Sequence, residues 1–87
     1  MNIGSIGQKA KWFRIRKGLG LRAAAAALDI SPSFLSDFEL GRRAADADTL
    51  ARICQAYGVP FENVNLWLRL EAQYKLRDAW KRAKEKA

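Results

Sequence analysis

Apolar residues return every three or four positions along most of the chain, and no stretch alternates polar and apolar over four or more β-branched residues. Helix is the only period that fits. A first helix is expected from about Ile6 to Lys17, with Ile6, Ala10 and Phe13 on one face, and Gly18-Leu19-Gly20 supplies the freedom its C-terminus requires. A second, Leu21 to Leu28, is short and alanine-rich, and Asp29-Ile30 turns the chain. Ser31-Pro32 is a strong start signal, Ser as N-cap and Pro at the first helical position, for a third helix that runs to about Leu40 and stops at Gly41. Arg42 to Ala45 reads as a loop. A fourth helix covers about Asp46 to Tyr57, with Leu50, Ile53, Cys54 and Tyr57 on one face, and Gly58-Val59-Pro60 breaks it. The last runs from Phe61 nearly to Ala87.

Plotted at 100° per residue, that last segment carries two apolar stripes. Phe61, Val64, Leu68, Ala72, Leu76, Ala79 and Ala83 form one; Leu66, Trp67, Leu70 and Tyr74 form another on nearly the opposite side. One helix cannot bury both against a single small domain, so Leu66, Trp67, Leu70 and Tyr74 are expected at a homodimer interface. The other solution is that Asn65 caps a fresh helix and bends the chain, folding both stripes back. Beyond Tyr74 the tail is basic and amphipathic, with Trp80 on its own. The division expected is a body of residues 1–64 and a dimerisation helix with basic tail of residues 65–87.

Composition narrows the chemistry. With 49% hydrophobic and 29% charged residues in 87, the chain is one small globular domain. It has no histidine and one cysteine, which removes a zinc site, a disulfide and any histidine general base. A non-enzyme without cofactor is expected, with Cys54 as a small core hydrophobe. Met1 to Ala10 has no apolar run of signal-peptide type, and the longest uncharged apolar run, Ala23 to Leu28, is far short of the ~20 residues a bilayer needs. A soluble cytoplasmic protein without a membrane partner follows. Trp12, beside Phe13, reads as core filler, the alternative being partial exposure on the surface of the first helix.

Charge is unevenly placed. Residues 1–22 hold six cations and no acid, residues 23–68 three arginines against six acids, and residues 69–87 seven cations against three acids. The net +7 thus comes from basic flanks around an acidic centre, as on a surface that holds phosphates at its edge while other residues read bases.

Two short helices joined by a turn, the first of small residues and the second opened by a Ser cap, are what a helix-turn-helix needs. Small side chains let the helices approach closely, so the second protrudes into a major groove about 12 Å wide. The stretch Gly18 to Arg43, above all Ser31, Ser36, Glu39, Gly41 and Arg42 at their spacings, resembles the Cro/C1-type helix-turn-helix of phage and plasmid repressors. The likeness covers roughly residues 7–64. It departs at Leu21, where the family usually has a polar phosphate-binding residue, and at Asp29, which replaces the usual turn glycine but tolerates its dihedrals.

The resemblance implies an all-α, compact five-helix fold of lambda-repressor type with an extended C-terminal helix. It places Pro32, Ser33, Phe34, Ser36 and Asp37 on the groove-facing side of the third helix, with Leu35 and Phe38 behind it. Periodicity agrees, since Ser33, Ser36 and Asp37 fall at i, i+3 and i+4. No Lys or Arg lies between Ser31 and Leu40. Base readout is therefore expected from Ser hydroxyls, from Asp37 accepting a cytosine N4 proton, and from Phe34 against a thymine methyl. In the family the residue at Glu39 pairs with an Arg of the first helix, here Arg14, as a structural pair. Arg22, Arg42 and Arg43 fall where phosphates pass, and Lys11, Arg16 and Lys17 are added to them.

The function expected is a dimeric transcriptional repressor on a palindromic double-stranded DNA operator. A second similarity gives the alternative. Trp67 to Tyr74 is similar to the C-terminal helix of plasmid addiction antitoxins, which join this fold to neutralisation of a toxin protein and regulate their own operon.

Overall fold

The computed structural model describes residues 5–86, and of Tyr74 and Lys86 the backbone alone. Among the described residues there are five helices and no strand, in the order α1 (Ile6–Arg16), α2 (Leu21–Leu28), α3 (Pro32–Glu39), α4 (Ala47–Tyr57) and α5 (Phe61–Lys86). Local chemistry accounts for the ends. Ser5 Oγ accepts from the Gln8 amide at 3.1 Å, Ser31 Oγ from Phe34 at 3.0 Å, and Asp46 Oδ1 from Thr49 at 2.8 Å, each satisfying a donor that the first turn leaves free. Hydrogen bonding from Thr49, by its side chain first and its amide second, lowers the Asp46 pKa. Asp29 closes α2 in the left-handed conformation, with φ 57°, where its amide and that of Ile30 reach back to Ala26 and Ala25 carbonyls.

The core lies between α1, α2, α3 and α4, with Leu35 and Ile53 fully enclosed. Of the five alanines of α2, Ala24 and Ala25 face inward with no exposed surface, which makes that part of the run a packing device. Cys54 is buried and free, and burial pushes its thiol pKa up, so it packs as a neutral side chain. Gly7 is a close approach: a Cβ there would stand 1.7 Å from the Phe38 carbonyl oxygen, so α1 meets α3 backbone to backbone.

α5 runs unbroken through Asn65 for 26 residues, about 39 Å. The alternative bend at Asn65 is absent, and position 64/65 falls inside a helix. Only the first part of α5 rests on the body, which is why the molecule measures 48 × 27 × 23 Å.

Here the expected interface needs correction. Trp67 is 6% exposed and packs on Phe13, ring centroids 5.7 Å apart, and Leu70 is half-buried. Two residues of the stripe expected to meet a second chain, Trp67 and Leu70, thus turn inward. Of the other stripe Val64 packs on the core, while Phe61 is 78%, Leu68 48% and Leu76 69% exposed. The Tyr74 side chain lies outside the described residues, and Leu66 stands exposed beside the buried edge. Periodicity set the two stripes apart correctly but held no information on which would find the aromatic face of α1. For Trp12 the alternative, exposure on the helix surface, holds over core filler: it lies across α1 from Ile6, Ala10 and Arg14, more than half exposed, edge-on to Phe13.

Candidate nucleic-acid interface

α2, the turn at Asp29-Ile30 and α3 form the helix-turn-helix, and α3 is held from behind. Leu35 and Phe38 anchor it in the core, and Glu39, its last residue, is tied to α1. Arg14 donates from Nε to Glu39 Oε2 at 2.7 Å and from Nη2 to Oε1 at 3.0 Å, a bidentate pair, and from Nη1 to the Leu19 carbonyl at 2.8 Å. Both side chains are buried. Donation to the Glu39 carboxylate raises the Arg14 pKa, so the guanidinium stays charged. One side chain of α1 therefore fixes the approach to α2 and the end of α3 together.

The turn has a second support that sequence reading did not find. Arg52 of α4 donates from Nη1 to the carbonyl of Leu28, the last residue of α2, at 3.3 Å, and from Nη2 to Thr49 Oγ1 at 3.4 Å. A cation at a helix C-terminus offsets the partial negative charge of its free carbonyls. The available signal was that Arg52 is one of three cations in the net-acidic central segment.

With its back fixed, α3 turns Pro32 and Ser33 to solvent and leaves Ser36 and Asp37 half-buried. These are the polar residues expected on the reading face, and the fold brings them together on one side of α3. Phe34 is less free than expected. Its ring packs partly against the core, and the Arg43 guanidinium lies over it, Cζ 5.3 Å from the ring centroid.

The six cations expected at phosphates separate. Arg22, in the first turn of α2, and Arg42 and Arg43, after α3, are exposed around the helix-turn-helix. Lys11 is exposed on α1. Arg16 and Lys17 are engaged elsewhere. Arg16 leaves α1 about 160° from Arg14, at 100° per residue, and its Cζ lies 4.6 Å from the Trp12 ring centroid. The Lys17 ammonium lies beside Gly58, 3.6 Å from where a Cβ would stand, and so meets the C-terminal end of α4. Neither faces α3.

Among the described residues no helix is long and apolar enough to cross a membrane. A search of curated proteins found no match. Among solved structures, the clp gene regulator ClgR from Corynebacterium glutamicum is similar, at 31% identity and a TM-score of 0.67 over 87% of this chain and 86% of that one. Residues 5–67, which take in everything from the Ser5 cap to Trp67, match the helix-turn-helix domain family, and the chain belongs to that family.

Proposed function

We propose that the chain, a DNA-binding transcriptional regulator by family, represses transcription in the cytoplasm by occupying, as a homodimer, a palindromic operator that overlaps a promoter, in the manner of Cro/C1-type repressors of phages and plasmids. The observation that carries this reading is the short helix α3, bolted from behind by Arg14 and Glu39 while Ser33, Ser36 and Asp37 face outward. Such a helix enters a major groove and reads base edges, and Arg22 and Arg42 beside it hold phosphates. Dimerisation is supported by the free stripe of α5, where Phe61, Leu68 and Leu76 remain exposed on a helix that outruns the body. Residues 65–87 then serve as the dimerisation helix with its basic tail, and two heads meet half-sites about 34 Å apart.

Selection of bound duplexes from a random DNA library tests both parts. Recovery of a two-fold symmetric sequence is the expected result. Recovery of no preferred duplex overturns operator recognition, and recovery of a lone asymmetric site overturns the dimer.

A further inference from the structure

α3 has no cation of its own between Ser31 and Leu40, yet a guanidinium lies against it. Arg43 belongs to the segment after α3, where Gly41, at φ 78°, reverses the chain. From there its side chain reaches back to Phe34, the third residue of α3, with Cζ 5.3 Å from the ring centroid. The ring is set in place by its packing on the core. At 100° per residue, Phe34 and Asp37 are about 60° apart, so Arg43 borders the acidic end of the outward face.

Holding a phosphate requires a charge near the sugar-phosphate backbone; reading a guanine requires a plane with two donors aimed at N7 and O6. A guanidinium laid over an aromatic ring has its plane restrained, and stacking of this kind suits arginine far better than the compact, strongly hydrated ammonium of lysine. We propose that Arg43 is a base-reading residue: seated on Phe34, it donates both hydrogen bonds of its fork to a guanine at one edge of each half-site, next to the base read by Asp37. Phe34 is then a positioning residue for Arg43. Arg42, which has no such platform among the described residues, stays a phosphate contact. This rests on the reading of the chain as an operator-binding protein, and supplies the guanine-reading arginine that α3 lacks.

The test is duplex selection from a random library, followed by competition titrations at several salt concentrations, on the intact chain and on Arg43→Lys, Phe34→Leu and Arg42→Lys. Arg43 is exposed, so Arg43→Lys keeps the fold and the charge and removes only the fork. It is expected to lose about tenfold or more of the preference for G·C at one position per half-site, with other positions and the salt slope unchanged. Phe34→Leu, checked for a native melting curve, should relax the same position. Arg42→Lys should keep the parent sequence preference throughout. If Arg43→Lys retains that preference at every position, Arg43 is a phosphate clamp and the assignment is wrong; uniform weakening on all duplexes overturns it equally. If the intact chain itself selects no duplex, operator recognition falls first and this assignment with it.

Discussion

Trp67 and Trp80 sit on the same unbroken helix, yet the first is 6% exposed against Phe13 and the second is 69% exposed. The difference lies in what is beneath them. In the body, α2 and α3 have eight residues each, too few to persist alone, and exist because every inward side chain has a neighbour. The far part of α5 has no body under it. It relies on length and on surface pairs such as Glu71 with Lys75, whose atoms approach to 3.2 Å. Helicity in the body is therefore a tertiary property, and in the far part of α5 a local one.

Glu39→Ala should give the largest effect. It leaves the buried Arg14 guanidinium uncompensated, at a cost of about 3 to 5 kcal/mol, most of the stability of a small domain. Chemical denaturation measures it, and a variant of native stability would break the claim that the body depends on paired burial. Next come the two tryptophans. Trp67→Ala is expected to lose about 3 kcal/mol and Trp80→Ala less than about 0.5 kcal/mol, both in dilute solution; equal losses would erase the distinction between the two parts of α5. Gly7→Ala should follow at about 2 to 3 kcal/mol, because its new Cβ strikes the Phe38 carbonyl rather than a flexible side chain.

A smaller effect at neutral pH than that of Gly7→Ala concerns Tyr57, whose buried hydroxyl has no hydrogen-bond partner among the described residues. Burial first and Glu39 second push its pKa up to about 12, above the ~10 of an unfolded chain. The folded state holds this proton more tightly. The neutral phenol's contribution is therefore whole below pH ~10 and is lost as pH rises through about 12, amounting to about 3 kcal/mol. Tyr57→Phe should flatten that alkaline loss in urea titrations and cost less than about 1 kcal/mol at neutral pH, since no polar group is left unpaired.

The elements that could be read in advance are those whose cause is local. Ser31-Pro32 opens α3, Asp29 turns the chain and Gly58 ends α4, because capping and backbone preference act over three or four residues. The polar edge of α3 was legible for the same reason, one helical period being enough to align Ser33, Ser36 and Asp37. What escaped depends on neighbours distant in sequence. Gly7 inside a helix looks like a weak helix former until α3 is laid against it. Arg16 and Lys17 look like any cations until Trp12 and Gly58 are found beside them, and Arg52 has no evident task before Leu28 arrives.

The three hydrogen bonds of Arg14 have a kinetic consequence. By gripping Leu19 ahead of α2 and Glu39 at the end of α3, one guanidinium makes the two helices move as a unit. Their relative orientation is settled when the protein folds, and the ordering cost that a loose pair would meet on association, about 0.5 to 1.5 kcal/mol per immobilised side chain, is already met. Association with DNA is then governed by encounter rather than by rearrangement, so its rate should follow ionic strength closely and protein conformational change hardly at all.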